Sequence, residues 1–276
     1  MTAVSAPGPG APRGISGLEG IGRVFEYRLL AYRRTFRSSV FNSFVGPALF
    51  LAAMGVGLGT YVDRSDNALL GGVSYLAFLA PGLLAATAMQ AAAFESTFPI
   101  MGGLVWNRVF HSMYATPVRP SDIALGNLLF VAFRMLLVSA VFVLMIILFG
   151  AAASPLIVLA VPVAVLTGMA FAGPIAAFSA TQRTVEKFNA VFRFGITPLF
   201  LFSGTFFPIE SLPAILQPIA WVTPLYHGVA LSRGLSLGTA TADPLVMAVH
   251  FAVLIGFVVA GAWAATRTFE RKLVRG

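Results

Sequence analysis

Residues Pro155 to Phe178 run without a single charge, and so do Val40 to Val62, Val73 to Phe94 and Leu245 to Thr266. Each reaches the ~20 residues that an α-helix needs to cross a bilayer core, where backbone polar groups must be satisfied internally. Ile123 to Phe149 is a further run, interrupted by Arg134, and Phe188 to Phe207 is a weaker one with Arg193 near its start and Pro198 inside it. No alternating ten-residue pattern points to a membrane barrel. The chain is 58% hydrophobic and 10% charged, against roughly 25% charged in an average soluble domain. An all-α polytopic membrane protein follows. The absence of cysteine excludes disulfides and thiolate metal sites and leaves the redox compartment open.

These six runs leave out Leu212 to Leu231, which is apolar but carries Pro213, Pro218 and Pro224, and charge decides whether it crosses. Lys and Arg in short loops accumulate on the cytoplasmic side. Arg13, Arg23, Arg28, Arg33, Arg34 and Arg37 precede the first run, and Arg267, Arg271, Lys272 and Arg275 follow the last. Both termini are expected inside, which requires an even number of crossings. With six, at about 40–62, 73–94, 123–149, 155–178, 188–207 and 245–266, Arg108, Arg119, Arg183, Lys187 and Arg193 also lie inside. Only Arg64 and Arg233 then fall outside, with Arg134 in the membrane. The net charge of +8 thus sits beside anionic headgroups, and nucleic acid is not needed to explain it. Residues 207–231 are expected to dip in from the outer face as a re-entrant helical hairpin between spans five and six. Prolines there mark helix starts and turns, where a missing N–H costs little. A proline-kinked span is the competing reading.

Ahead of the first span, Leu18 to Arg37 sets Ile21, Phe25, Leu29, Tyr32 and Phe36 at three- and four-residue steps. An amphipathic helix lying flat on the inner leaflet is expected there, preceded by a disordered cytoplasmic tail, Met1 to Gly17, rich in Pro, Gly and Ala. The loop of 95–122 is the longest on the inside. Within it, Met101 to Tyr114 mixes Leu104, Trp106, Val109, Phe110 and Met113 with Arg108 and His111 at a three-residue spacing. Such a short helix suits a groove on a soluble partner, and it equally suits packing on lipid. Glu95, at the inner end of span two, either caps that span, pairs with a basic residue of the loop, or faces water. Arg134 is the one charge deep in a span. It either meets an anionic headgroup of a transported lipid or hydrogen-bonds to neighbouring helices. Gly55 and Gly59 form a small-xxx-small pair in span one.

Signatures of chemistry are missing. A phosphate-cradling GxxxxGK loop cannot be built around Lys187, after Glu186, or Lys272, after Arg271. His111, His227 and His250 stand alone without HExxH or a nearby carboxylate cluster. Gly234, Ser236 and Gly238 spell GxSxG, with Asp243 and His250 following. That elbow needs a strand before the serine and far more chain between the partners, so the match is chance.

The segments ESTF…ATPVRPSDIALG (Glu95 to Gly126) and SGTFFPIESLPAILQPIAWVTPLYHGVALSRGL (Ser203 to Leu235) resemble those of ABC-2 type transporter permeases. The nearest look is to the NodJ branch, which exports lipo-oligosaccharide nodulation signals, and to the daunorubicin-resistance permeases. The resemblance in layout runs from about Leu18 to the C-terminus. It implies an interfacial helix before six spans, a coupling helix within Met101 to Tyr114, and a re-entrant hairpin before span six. Glu95, Met101, Trp106, Arg108 and His111 are carried over as the ATPase-coupling set. Pro208, Glu210, Pro218, Pro224 and His227 are carried over as the re-entrant gate, with Arg134 on the substrate path. The implied partners are two copies of an ABC ATPase subunit and a second copy of this chain, with membrane lipids around them. ATP and Mg would sit on the ATPase and no cofactor on this chain. The implied cargo is an amphipathic lipid-like, glycolipid or drug-like molecule moved outward, and no short motif chooses among these. An ion-coupled secondary carrier would normally show intramembrane carboxylates or inverted repeats. A lipid-modifying enzyme would need an acid–base cluster.

Overall fold

The computed structural model describes residues 17–63, 72–215, 217–239 and 243–275, without the side chains of 37–40, 42–44 and 56. The expected tail up to Ser16, Arg64 and the Arg37 side chain lie outside the described residues. Every regular element among those described is helical.

The chain opens with α1 (Gly17–Arg33), turns at Arg34 and Thr35, and enters α2 (Phe36–Ala52). A π-helical segment (Ala53–Leu58), at Gly55 and Gly57, joins α2 to α3 (Gly59–Val62). Next come α4 (Tyr75–Glu95), α5 (Phe98–Met101), a π segment (Gly102–Trp106) and α6 (Val109–Tyr114). The long α7 (Pro120–Leu148) follows, and α8 (Ala160–Thr181) after a 3-10 turn at Pro155–Leu159. Then α9 (Glu186–Ala190), a π segment (Val191–Ile196) and α10 (Thr197–Phe202) form one helical run. The chain ends with α11 (Gln217–Val222), α12 (Pro224–Leu237) and α13 (Pro244–Arg275).

Among the described residues, five helical runs are long and apolar enough to cross a membrane: Val45–Val62, Tyr75–Trp106, Pro120–Leu148, Pro155–Thr181 and Pro244–Arg275. The run from Glu186 to Phe202 falls short of ~20 residues. At its centre α4 is the most enclosed, 78% of its apolar window being buried, whereas that of α13 is only 11% buried. Small residues make the centre possible. Ala80, Ala85, Ala86, Ala88, Ala92 and Ala93 of α4 are all buried. Where α8 meets α13, a methyl group on Gly173 would lie 2.5 Å from the Gly261 carbonyl carbon, so the two backbones touch. Gly55 in turn lies beneath Leu76 of α4.

Contacts sort the loops into two ends. At one end Phe98 packs on Phe188 (5.5 Å) and Phe110 on Phe269 (5.8 Å), beside α1. At the other, Tyr75 N–H donates to Asp63 (2.8 Å), and the N–H groups of Ala153 and Ser154 donate to the Ser236 carbonyl (3.1 and 2.9 Å). The first is called here the α1 end and the second the hairpin end.

α1 packs against α7. Gly20 abuts Asp122, Ile21 and Val24 meet Gly126, and Tyr32 meets Phe130 at 5.9 Å. Contacts advancing together along both helices mean that α1 runs alongside the first turns of α7, not across them. With 29 residues, α7 is about 43 Å long at 1.5 Å per residue and exceeds a ~30 Å core. Its surplus length gives α1 a wall.

Candidate functional site

Three side chains from distant parts of the sequence meet near the α1 end. Arg28 reaches inward from α1 because it lies three residues after Phe25 and four before Tyr32, on the face that packs against α7. Its Nη2 donates to Glu95 Oε2 at 3.4 Å. Arg134 of α7 brings Nε to 3.3 Å from Glu95 Oε1. All three side chains are only 15–17% exposed. Each guanidinium also covers a ring, Arg28 over Phe130 and Arg134 over Tyr32, both at 4.5 Å to the centroid. Burial pushes the Arg28 pKa down from its ordinary value, and Glu95 opposes that shift. Glu95 therefore pairs with α1 and with α7 and, among the described residues, with none of the loop that follows it.

Below this cluster, Thr97 Oγ1 donates to the carbonyls of Ala93 and Phe94 (3.1 and 3.0 Å), ending α4. Met101 to Tyr114 is not one helix. The π segment closes at Trp106, Arg108 takes a left-handed conformation (φ 50°), and α6 starts anew. Gly103 leaves the space that the Phe110 ring occupies on its return. The residues of this segment divide between anchor and surface. Met101, Leu104 and Phe110 are buried, so Met101 lies beneath the surface of the segment and not on it. Trp106, 57% exposed, stands out with Asn107, Arg108, Ser112 and Tyr114. His111 is half-buried and its Nδ1 has no hydrogen-bond partner.

Arg134 also reaches a cleft of about 550 Å³ between α2, α4, α7 and α10. Thr87 and Gln90 of α4 line it with Arg134 towards the α1 end, and Phe50, Phe142 and Phe200 line the rest.

In the hairpin region, Pro218 and Pro224 sit in the first turns of α11 and α12, and Pro208 precedes the 3-10 turn Ile209–Ser211. Glu210 is exposed on that turn. Arg233 of α12 donates through Nε to the Phe78 carbonyl (3.1 Å) and through Nη2 to those of Gly204 (2.8 Å) and Thr205 (3.4 Å), its guanidinium 3.7 Å from the Phe78 ring centroid. Gly82 leaves room for it. His227 and His250 join α12 to α13 by an Nδ1–Nδ1 hydrogen bond of 2.7 Å. The GxSxG residues form no triad. Ser236 lies in the last turn of α12 with a buried, unpartnered hydroxyl, Asp243 accepts from the N–H groups of Leu245 and Val246, and the Nδ1 of His250 is taken by His227.

Comparison with known proteins adds the decisive observation. Residues 23–237 match the model of the family described as ABC-2 type transporter. The chain belongs to that family. This ABC-2 chain is 31% identical over 252 residues to nodulation protein J of Rhizobium leguminosarum bv. viciae, covering 91% of itself and 94% of the relative. It is 30% identical to the Rhizobium meliloti protein of the same name, at 91% and 93% coverage. The Bradyrhizobium diazoefficiens protein is 28% identical at the same coverage. Family and helices together make it a multi-pass membrane protein and the transport subunit of an ABC exporter. The sequence had pointed to Glu95, Arg134 and the Trp106–Arg108 segment. It had not pointed to Arg28 or Arg233 as binding groups, although the spacing of Arg28 from Phe25 and Tyr32 carries the signal.

Proposed function

We propose that this chain pairs with a second copy of itself and with two copies of an ABC ATPase, and moves an amphipathic lipid-like, glycolipid or drug-like molecule outward across a bacterial inner membrane. The observation that carries the reading is the exposed Trp106–Asn107–Arg108 reversal held on buried Met101, Leu104 and Phe110. An exposed turn on a packed base transmits a push instead of yielding to it. ATP and Mg belong to the partner ATPase, whose closure would drive this turn and thereby α4 and α7.

Six crossings fit the two-ended arrangement. The run from Glu186 to Phe202 has Phe188 against Phe98 at the α1 end, and Gly204, just beyond it, against Arg233 at the hairpin end. It thus runs from one end to the other despite its length. The α1 end is assigned to the cytoplasm, with both termini and the exposed Arg23, Arg33 and Arg34 beside anionic headgroups. Re-entry of α11 and α12 fits as well. With 14 residues, α12 is about 21 Å long, too short to span, and its His227 reaches His250 seven residues into the described part of α13. Pro208, Glu210, Pro218, Pro224 and His227 then belong to an outer gate.

The test is co-purification with a co-expressed ABC ATPase subunit, together with ATP hydrolysis in proteoliposomes. Trp106→Ala with Arg108→Glu should abolish both, and undiminished assembly would refute the coupling surface. In intact cells, a cysteine at Ile215 should react with an impermeant maleimide and one at Val274 should not. Labelling at Val274 would overturn the topology. Transport without any ATPase would instead establish a secondary carrier.

A further inference from the structure

The cleft beside Arg134 has a polarity gradient. Along α7, Arg134, Val138 and Phe142 face it at four-residue steps, and along the antiparallel α4 Gln90, Thr87 and Leu83 face it at steps of three and four. Arg134 and Gln90 lie towards the α1 end, and Phe142 and Leu83 lie about 12 Å further on. Phe206 closes the far end, with its ring 5.0 Å from Phe200 and 6.3 Å from Phe50. The volume, about 550 Å³, falls in the ~300–1,000 Å³ range of small-molecule sites.

Charge fixes what the polar end can hold. Two guanidinium groups share one carboxylate, so the cluster of Arg28, Glu95 and Arg134 retains one positive charge. Glu95 approaches Arg134 at Nε, in an ion pair that leaves that buried Nε without a hydrogen-bond partner. Among the described residues nothing takes a hydrogen bond from the Arg134 guanidinium, and the residue lines the cleft. A guanidinium edge presenting two parallel N–H groups matches the oxygens of a phosphate, sulfate or carboxylate. A cationic head there would face net positive charge at low dielectric.

We propose that this cleft binds an amphiphile with an anionic head, the Nη groups of Arg134 gripping the head beside the Gln90 amide and the apolar chain lying along Val138, Phe142 and Phe200. That this amphiphile is the cargo rests on the permease reading above, whereas its binding needs no ATPase.

The test uses the full chain alone in phosphatidylcholine nanodiscs and a dodecyl phosphate with a diazirine at its chain end. Irradiation should give saturable labelling of α7 or α10 peptides near Phe142 or Phe200. Unlabelled dodecyl phosphate should compete at least ten-fold better than dodecyltrimethylammonium or dodecyl maltoside, and inorganic phosphate at equal concentration should not compete. Arg134→Gln should lower labelling at least ten-fold, with partial recovery in Arg134→Lys. Val138→Trp, which fills the apolar part and leaves the ion pairs intact, should abolish it independently. Equal competition by the three amphiphiles, full competition by inorganic phosphate alone, labelling unchanged in both Arg134→Gln and Val138→Trp, or a wild-type cleft blocked by crosslinks between two copies of the chain would each overturn the proposal. Each of these results can be read whether or not an ATPase co-purifies.

Discussion

Replacing Glu95 by glutamine removes the anion that lies between two buried guanidinium groups, at 3.4 Å from one and 3.3 Å from the other. At those separations each attraction is worth about 5 kcal/mol for an effective dielectric of 20. Desolvation offsets most of that, and the net value of such a pair can be near zero. The deletion is not near zero. It strands charge already taken out of water, at a typical cost of about 3–5 kcal/mol, and exposures of 15–17% leave little solvent to screen it. Glu95→Gln should therefore lose about 3–5 kcal/mol in equilibrium unfolding from mixed micelles. Arg134→Met should cost less, because Glu95 keeps Arg28. In a double-mutant cycle, Arg28→Met with Glu95→Gln should be milder than the sum of the two single changes. A Glu95→Gln protein within about 1 kcal/mol of wild type would refute the view that these charges are desolvated and mutually dependent.

Other contacts make separate demands. A methyl group on Gly126 would already lie 2.6 Å from Val24 Cβ, so Gly126→Leu should pry α1 from α7 at a cost of roughly 1–3 kcal/mol, and undisturbed hydrogen-exchange protection over Gly17–Arg33 would contradict it. Arg233→Met removes the side-chain donor to the Gly204 carbonyl, past the end of α10, and a further donor to the Phe78 carbonyl. A loss of about 1.5–3 kcal/mol with faster exchange at 203–212 is expected, and unchanged exchange there would argue against it. The His227–His250 bond is 2.7 Å long. His250→Leu should weaken α12–α13 packing by about 1 kcal/mol, while His250→Asn, whose amide reaches the Nδ1 position, should restore most of it. Equal melting of the two variants would show that the bond contributes nothing.

The long spans were legible because a bilayer demands length and apolarity, and Pro155–Thr181 and Pro244–Arg275 offer both in one window. Proline positions were legible for the same local reason, since Pro218 and Pro224 have the fixed φ of a helix start. Contacts across the bundle were not. Glu95 and Arg28 are 67 residues apart, and a flank of arginines reads as a topology signal until one is placed on a helix face. The coupling segment misled differently. Its apolar spacing suits a continuous helix, but Phe110 finds better burial against Phe269 by folding back over Gly103, and that reversal needs Arg108 in the left-handed region. Tertiary burial outweighed local periodicity.

Arg233 bears on why so apolar a chain tolerates so many breaks. In the count of charges it was merely one of two basic residues left outside. In the structure its guanidinium collects the carbonyl of Phe78, in the first turn of α4, and those of Gly204 and Thr205, just past the end of α10. Interrupting a helix near the hydrocarbon frees backbone acceptors that lipid cannot satisfy. A side chain with five donors and no acceptor is suited to take up several of them at once. Gly82 supplies the space, because a Cβ there would press within 3.0 Å of Arg233 Nη2 and 3.1 Å of the Thr205 carbonyl oxygen. Gly204 supplies the turn through its positive φ of 79°. The prolines, these two glycines and Arg233 therefore form one solution: the chain is broken between α10 and α12, and the Gly204 and Thr205 acceptors released past the end of α10 are met by a donor carried on α12, which also reaches the Phe78 carbonyl.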